Sequence, residues 1–222
     1  MPNSLTSPPV QAVLDRLFAA AAHDADRRPA VPSGRTHAIG TAQERADALE
    51  SVYMPISAEG GSLLYTLVRA ARPETVVEFG TSFGISTIYL AAAVTDNGTG
   101  RVLSTELSTT KIAAARSSLA EAGVAAAVTI LPGDALSTLA DIQGPIGLVL
   151  LDGWKDLCLP VLRLLEDRLV PGAIVVADDS TFPSMGDYLT YVRDPASGYI
   201  NVSFPVEDGM EISCRAGTSA AP

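Results

Sequence analysis

From residue 62 onward, short apolar segments alternate with segments that carry apolar residues at helical spacing. Strands that alternate with helices in this way build a parallel sheet whose two faces are covered by helices. The strands are predicted at 75–79, 101–106, 128–131, 146–152, 173–177, 200–205 and 210–215, and the helices between them at 63–71, 85–95, 109–122, 135–141, 157–169 and 183–192. The sequence therefore predicts an α/β fold with a doubly wound, mostly parallel sheet that closes with an antiparallel hairpin.

The part of the chain before this alternation has a different pattern. Apolar residues at helical spacing predict a helix over 10–23, prolines and glycines predict a loop over 27–40, and a second helix is predicted over 42–52. Neither helix is long enough to form a core of its own. The predicted organisation is an N-terminal helical cap (1–55), a main domain (56–216) and a flexible tail (217–222), with residues 1–9 frayed.

The acidic character of the chain limits the classes of molecule that it is expected to bind. Its 222 residues carry a formal net charge of −10, whereas binding to a nucleic-acid backbone needs clustered Lys and Arg. We therefore expect a small-molecule substrate and no nucleic acid. The apolar runs are far shorter than the ~20 residues of a membrane helix, no secretory signal pattern precedes residue 10, and Cys158 and Cys214 show no metal-ligand spacing. These features predict a cytoplasmic protein with reduced thiols and no membrane association.

A glycine turn follows the first predicted strand, at residues 78–84 with the sequence EFGTSFG. In an open α/β sheet, ligands bind beyond the carboxyl ends of the strands, where glycines let the backbone approach closely. The spacing is G-x-x-x-G rather than the G-x-G-x-x-G that seats a pyrophosphate on the helix. The turn therefore favours a nucleoside cofactor smaller than a dinucleotide, the alternative being a glycine turn without a ligand.

Two further acids end the next two strands. Glu106 can accept hydrogen bonds from both ribose hydroxyls, unless it is a strand-end acid that faces water. Asp134, between Gly133 and Ala135, can accept from an adenine amino group, can cap the following helix, or can do both. Acids and glycines at successive strand ends support the cofactor interpretation.

An acidic group follows the fourth and fifth strands. Asp152 ends the fourth strand, and Asp178 and Asp179 end the fifth. Because adjacent parallel strands end at the same edge, these carboxylates should converge and repel one another unless a cation or raised pKa values relieve them. Oxygen ligands favour Mg²⁺, Mn²⁺ or Ca²⁺ over zinc. The alternative is that one or two of these aspartates cap helices and bind nothing.

Two side chains close to Asp152 extend this acidic group. Lys155 can serve as a general base if its pKa is lowered, or as an ion-pair partner of the carboxylates. Trp154 can pack in the core or form a wall for an aromatic acceptor.

At these positions the chain resembles catechol O-methyltransferase and its bacterial relatives. The resemblance rests on LLDGWKDLCLP at 150–160, ADD at 177–179, the turn at 78–84 and MPI at 54–56, and it covers about residues 50–215. It implies a seven-stranded, Rossmann-like class I methyltransferase fold, S-adenosylmethionine as the methyl donor, and Mg²⁺ chelated by the hydroxyls of the substrate.

The resemblance also assigns roles to residues of this chain. Lys155 would be the catalytic base, acting beside Asp152, and Asp152, Asp178 and Asp179 would be the metal ligands. The predicted cofactor contacts are Met54, Glu78, Gly80, Ser82, Gly84, Ser86, Glu106, Asp134, Ala135, Asp152 and Trp154. The family usually has Asn where Asp179 stands, and the final hairpin lacks the family's acidic substrate contact, for which Glu207 is a candidate replacement.

The function expected from the sequence is methyl transfer to a hydroxyl of a catechol-like or phenolic small molecule with a divalent cation. A first alternative is a metal-independent methyltransferase that acts on an amine, a carboxyl or an isolated hydroxyl. A nucleotide-binding module or dehydrogenase and a noncatalytic scaffold are less consistent with the motifs. The amphipathic N-terminal helices can cover the pocket or pair with a second subunit, so a homodimer is also considered.

Overall fold

Apolar, β-branched segments form the strands of one sheet in the computed structural model, which describes residues 3–28 and 40–216. The helices are α1 (Pro8–Ala21), α2 (Asp24–Arg27), α3 (Ala42–Ala48), α4 (Ala58–Ala71), α5 (Ile85–Asn97), α6 (Thr109–Glu121), α7 (Ala135–Thr138), α8 (Cys158–Leu165) and α9 (Gly186–Arg193). The strands are β1 (Thr75–Phe79), β2 (Arg101–Glu106), β3 (Val128–Pro132), β4 (Ile146–Leu151), β5 (Leu169–Ala177), β6 (Tyr199–Phe204) and β7 (Met210–Arg215). Short 3-10 turns cover Ser4–Thr6, Ala125–Ala127, Lys155–Leu157, Glu166–Arg168, Pro183–Met185 and Pro195–Ser197.

The sheet has the order β3-β2-β1-β4-β5-β7-β6. Strands β1 to β5 pair in parallel, and β7 lies antiparallel between β5 and β6. The predicted doubly wound, mostly parallel sheet of seven strands with a closing hairpin is therefore confirmed. The chain reverses its direction of travel across the sheet between β1 and β4, which is where such sheets bind their ligands.

Two apolar clusters cover the two faces of the sheet. One contains Val76 together with the buried faces of α1, α4 and α5. The other contains Val77 together with apolar residues of α8 and α9. Successive strand residues point to opposite faces, so β1, buried at all five positions, contributes Val76 to one cluster and Val77 and Phe79 to the other.

The N-terminal helix α1 joins the core of the sheet. Val10, Val13 and Leu17 are buried in the same cluster as the first strand. In the turn that precedes α1, the backbone N–H and the hydroxyl of Ser4 donate to the carboxylate of Asp96 at 3.0 and 2.6 Å. The prediction that residues 1–9 are frayed is thus wrong for residues 3–9, because a buried acid on α5 binds this turn. The domain boundary at residue 55 remains a prediction, and residues 217–222 lie outside the described residues.

Helix α4 begins five residues earlier than predicted. Gly60 and Gly61 resemble helix breakers in the sequence, yet both lie in the first turn, behind the N-cap Ser57, whose side chain accepts the N–H of Gly60. A Cβ at Gly60 would lie 2.7 Å from the side chain of Ile56, and one at Gly61 would overlap the ring of Tyr89. Close packing against neighbours, rather than a chain break, therefore explains these glycines.

Other predicted boundaries also shift. The helix predicted over 42–52 ends at Ala48, and a turn at residues 49–51 leads to the left-handed residue Met54. The loop predicted over 27–40 begins after α2, and residues 29–39 lie outside the described residues. The helices predicted over 135–141 and 157–169 are shortened to α7 and α8, and β5 begins at Leu169, four residues before its predicted start.

The cysteine thiols are free, with Cys158 buried in the second cluster and Cys214 half-buried. Within residues 3–28 and 40–216, no helix is both long enough and apolar enough to cross a bilayer.

Candidate active site

The backbone hydrogen bonds between adjacent strands continue one residue beyond the ends of β4 and β5. The N–H of Asp152 donates to the carbonyl of Phe79 at 2.9 Å, and the N–H of Asp178 donates to the carbonyl of Leu151 at 3.1 Å. The loops after β1, β4 and β5 therefore leave the sheet side by side. The ends of β1, β2 and β3 are called the cofactor half of this rim, and the ends of β4 and β5 are called the acidic half.

Gly80 makes the contact between the two halves. It has a φ of 104°, and a Cβ there would lie 2.8 Å from the backbone oxygen of Asp152. Gly153 is equally confined, since its Cβ would lie 2.5 Å from the ring of Phe79. Gly84, with a φ of 90°, is the N-cap of α5, and a Cβ there would lie 3.3 Å from the side chain of Ala115. The glycines predicted for ligand approach are thus also required by packing between loops and helices.

Glu106 fixes the cofactor turn from the end of β2. Its carboxylate accepts the backbone N–H of Ser82 at 2.8 Å and that of Ser108 at 2.9 Å. Ser82 has a φ of 47°, and its hydroxyl donates to the carbonyl of Tyr53 at 2.7 Å. Glu106 stays half-exposed, so its remaining lone pairs can accept hydrogen bonds from a ligand.

Glu78 and Ser86, both predicted to contact the cofactor, are buried below the surface of the protein. The carboxylate of Glu78 is fully buried and accepts hydrogen bonds from the hydroxyls of Ser86 and Thr87, each at 2.6 Å, and from that of Ser104. Burial raises the pKa of Glu78 to about 7, against the opposing effect of the three hydroxyls. The geometry supports a role for Glu78 and Ser86 in fixing the start of α5 beside the turn, and their direct contact with the cofactor stays a prediction.

Asp134 lies at the outer end of the cofactor half. It is exposed and caps α7, since its side chain accepts the N–H of Leu136 at 3.0 Å. Ala135 is buried behind it. One carboxylate oxygen of Asp134 is used by the cap, so the two interpretations of this residue from the sequence are compatible.

The backbone of Met54 is bound by a residue that sequence reasoning missed. Asp24 of α2 accepts the N–H of Tyr53 at 2.9 Å and that of Met54 at 2.8 Å. Asp24 precedes these residues by about thirty positions, and the sequence around Asp24 indicates only the end of a helix. No local pattern reveals the contact.

Trp154 is half-buried at the start of the loop after β4. The guanidinium carbon of Arg45 lies 4.7 Å from the centre of its ring. The same guanidinium makes a bidentate ion pair with Asp156 at 2.8 and 3.1 Å. Arg45 thereby holds α3 beside the acidic half, and it is a second residue that the sequence did not single out.

Asp152, Asp178 and Asp179 converge in the acidic half, as the strand order predicted. One carboxylate oxygen from each lies within 4.8 Å of the others. Burial, and then the neighbouring carboxylates, raises the pKa of Asp178. Asp179 adopts a left-handed φ of 55°, which turns the chain sharply after β5.

Lys155 lies between two of these carboxylates. Its Nζ is 3.0 Å from an oxygen of Asp152 and 2.9 Å from an oxygen of Asp179. Burial alone would lower the pKa of Lys155, but the two carboxylates outweigh it and the net shift is upward. In this arrangement the ammonium is charged and acts as an ion-pair partner, which is one of the two roles that the sequence left open.

Glu207 projects from the turn between β6 and β7 towards the same loops. It is exposed, and its carboxylate accepts the N–H of Ser57 at 3.1 Å. The turn is fixed to the loop after β5 because Ser180 donates its N–H to the carbonyl of Gly209 at 2.9 Å. Burial raises the pKa of Glu207, against the hydrogen bonds from Ser57.

The sheet order is that of the Rossmann-like methyltransferase fold, which solved methyltransferase structures share. Residues 77–180 match the family model described as a methyltransferase domain. The chain belongs to the catechol O-methyltransferase-like family of S-adenosylmethionine-dependent O-methyltransferases. The resemblance seen in the sequence is thereby confirmed.

Two curated relatives illustrate this membership. Catechol O-methyltransferase B of Danio rerio is 32% identical over 178 residues, which are 74% of this chain and 66% of the relative. Catechol O-methyltransferase of Mycobacterium tuberculosis is 33% identical over 147 residues, which are 66% of each protein. The chain therefore spans about two thirds of the length of these relatives.

Solved structures show the same fold. The O-methyltransferase TomG from Streptomyces achromogenes, in complex with S-adenosylmethionine, is 26% identical with a TM-score of 0.64, over 80% of this chain and 91% of that one. An O-methyltransferase from Bacillus cereus, in complex with S-adenosylhomocysteine, has a TM-score of 0.67 at 20% identity, over 91% of this chain and 90% of that one.

Proposed function

We propose that this chain transfers the methyl group of S-adenosylmethionine to a hydroxyl of a small catechol-like or phenolic acceptor, with a divalent cation bound by Asp152, Asp178 and Asp179. The observation that carries the proposal is the contact between the two halves of the rim. Gly80, in the cofactor turn, packs on the backbone of Asp152. A nucleoside donor and a cation-bound acceptor would therefore be neighbours, and proximity of this kind supplies much of the rate of a bimolecular transfer.

The three aspartates fit a hard divalent cation. They offer carboxylate oxygens within 4.8 Å of one another, which is the donor chemistry that Mg²⁺, Mn²⁺ and Ca²⁺ prefer. Asp178 is only 6% exposed, so an ionised carboxylate there needs a positive partner. A bound cation would act as a Lewis acid that stabilises the oxyanion of the acceptor.

The cofactor half supplies the contacts for the donor. Glu106 is positioned by two backbone amides and can accept the hydroxyls of a ribose. Asp134 keeps one carboxylate oxygen for an adenine amino group, and Met54 lies in the segment next to the turn. Trp154, fixed by Arg45, can form a wall between the donor and an aromatic acceptor.

Lys155 is the residue that we assign to the acceptor proton. Its Nζ already reaches Asp152 and Asp179. With its pKa raised by these carboxylates, Lys155 can accept a proton at Nζ only when another positive charge engages them. The base role is therefore coupled to occupancy of the aspartate site.

Substitution of Lys155 tests this assignment. Lys155→Ala should lower turnover by about 10²–10⁴-fold, the usual contribution of a general base, while the Kd for S-adenosylhomocysteine stays nearly unchanged. Lys155→Arg is the matched control, because Arg keeps the ion pairs but does not lose its proton. Wild-type turnover in Lys155→Arg would remove Lys155 from proton transfer.

One observation favours a second candidate function, a metal-independent methyltransferase that acts on an amine, a carboxyl or an isolated hydroxyl. The ammonium of Lys155 already neutralises part of the acidic half. The two candidates differ in their response to chelation. Activity that EDTA abolishes and Mg²⁺ restores supports the cation-dependent reaction, whereas full activity in EDTA supports the alternative.

The acceptor class is tested with labelled S-adenosylmethionine and a panel of catechol-type, phenolic and amine acceptors, each with and without Mg²⁺. We expect label transfer to vicinal diols in the presence of Mg²⁺. Glu207 is proposed to contact the acceptor, because its carboxylate lies in the turn that is fixed to the loop after β5. Transfer to amines alone would contradict the proposal.

The proposal also covers the partners of the protein, its location and its oligomeric state. The net charge of −10 supports a small-molecule acceptor and argues against nucleic acid as a partner. A cytoplasmic location, the absence of membrane association and a homodimer remain predictions of the sequence.

A further inference from the structure

Asp24 is a buried carboxylate that the proposed reaction does not use. It is 8% exposed, and its two oxygens accept the consecutive backbone N–H groups of Tyr53 and Met54. Met54 has a left-handed φ of 46°, which is unfavourable for a residue with a side chain. A conformation of this kind persists only where the surroundings impose it, and Asp24 provides two charge-assisted hydrogen bonds that do so.

The segment held by Asp24 is attached directly to the cofactor turn. The hydroxyl of Ser82 donates to the carbonyl of Tyr53 at 2.7 Å. The ring of Tyr53 stacks on that of Phe83, with centroids 3.9 Å apart and planes 12° apart. Ser82 is in turn bound by Glu106. A continuous set of contacts therefore runs from α2 to the residue proposed to bind the ribose.

Two cations flank the stacked rings. The guanidinium carbon of Arg27 lies 5.3 Å from the ring centre of Tyr53, and Nζ of Lys111 lies 5.6 Å from that of Phe83. Lys111 is only 3% exposed and occupies the first turn of α6, where the helix dipole disfavours a cation. Burial lowers the pKa of Lys111, against the attraction of Glu106 and Asp24. A buried lysine in this place is consistent with a role in neutralising those two carboxylates.

We propose that Asp24 is a positioning residue for cofactor binding, which holds Tyr53 and Met54 closed over the turn at residues 80–84. The inference rests on the proposed function in one respect, namely that the ligand of this turn is S-adenosylmethionine or its product. Asp24 itself does not touch the cofactor. It acts through the backbone of Tyr53 and Met54, and a contact thirty residues away thereby sets the affinity of the turn.

The test compares Asp24→Asn with Asp26→Asn. Both substitutions remove one negative charge from α2 and preserve size, but the side chain of Asp26 is 83% exposed. The Kd for S-adenosylhomocysteine is measured by calorimetry, and hydrogen exchange is measured at the amides of residues 53 and 54. Asp24→Asn should weaken binding about tenfold, as expected for the loss of a charge-assisted hydrogen bond, and should speed exchange at these amides. Asp26→Asn should match the wild type in both measurements.

A second variant approaches the same contact from the cofactor turn. Ser82→Ala removes the hydroxyl that donates to Tyr53, and it should also weaken binding and speed exchange; it replaces Asp24→Asn if that variant does not fold. A merely structural role for Asp24 predicts faster exchange with wild-type affinity, and this result would overturn the inference. Failure of the wild type itself to bind S-adenosylhomocysteine would instead overturn the proposed function together with the inference.

Discussion

The two halves of the rim differ in how their carboxylates are compensated. In the cofactor half, Glu78 accepts hydrogen bonds from three hydroxyls and Glu106 from two backbone amides. In the acidic half, three aspartates converge, and the ammonium of Lys155 reaches two of them. Hydrogen-bonded carboxylates are tolerated in a folded chain, whereas clustered ones repel. The cofactor half is therefore complete on its own, while the acidic half retains an excess of negative charge that suits a cation.

The lysines of the chain follow the same division. The sequence contains two lysines: Lys111 is buried at the cofactor half of the rim, and Lys155 is half-buried at the acidic half. Lys155 contacts its carboxylates directly, and its pKa is raised. Lys111 lies over an aromatic ring, and its pKa is lowered by burial. Lys155 thus remains charged in the acidic half, whereas burial disfavours the charged form of Lys111 in the cofactor half.

The largest effect is expected from Asp178→Asn, which removes a carboxylate from the acidic half. Turnover should fall at least about a thousandfold, because a Lewis acid contributes several kcal/mol to the stabilisation of an oxyanion. Thermal stability without added cation should stay equal or rise, because repulsion among the aspartates is relieved. Steady-state kinetics and thermal unfolding measure the two effects, with the exposed Asp187→Asn on α9 as the control. Wild-type turnover in Asp178→Asn would remove the functional distinction between the halves.

A smaller effect, on stability rather than turnover, is expected from Glu78→Gln. Because burial raises the pKa of Glu78 from 4.5 to about 7, its stabilising contribution is complete below about pH 4.5 and is lost as the pH rises through 7. The difference corresponds to about 3 kcal/mol of unfolding free energy. Denaturant unfolding between pH 4.5 and 8 should show this loss in the wild type and in the exposed Glu59→Gln, but not in Glu78→Gln. Identical pH profiles for Glu78→Gln and the wild type would show that Glu78 stays ionised.

The smallest of these effects is expected from Glu106→Gln. A glutamine can accept only one of the two backbone amides, and its NH₂ group faces the other. The Kd for S-adenosylhomocysteine should rise by about tenfold to a hundredfold, the range for one charged hydrogen bond, while activation by Mg²⁺ keeps its concentration dependence. Calorimetry and a Mg²⁺ titration of activity measure the two properties. Glu121→Gln, exposed at the end of α6, is the matched control, and a shift in the Mg²⁺ titration would show that the halves are not independent.

The sequence predicted what depends on chain order. Asp152 and Asp178 come directly after apolar strands, and parallel pairing of β4 with β5 brings them together whatever the surrounding helices do. Glu106 and Asp134 were identified in the same way. The family resemblance added the methyl donor, which strand order alone does not indicate.

The sequence did not predict contacts that depend on tertiary packing. Asp24 and Arg45 act on residues 29 and 111 positions away, and no local pattern in the sequence indicates contacts at such separations. Glu78 lies one residue before the end of β1, close to where Glu106 ends β2, and only the tertiary structure reveals that Glu78 is buried among three hydroxyls. The sequence placed the start of α4 too late because the neighbours that require Gly60 and Gly61, among them Met210 and Tyr89, lie on other elements of the fold.

The contact of Gly80 with the backbone of Asp152 has a consequence for how this enzyme can diversify. Gly80 and Asp152 meet through main-chain atoms, and most side-chain substitutions leave main-chain atoms in place. In the proposed reaction, the interval that the methyl group crosses would therefore be set by the scaffold and not by the residues proposed to recognise the acceptor. Exchanges at Trp154 or Glu207 would then change acceptor preference while the reach of the transfer stays constant.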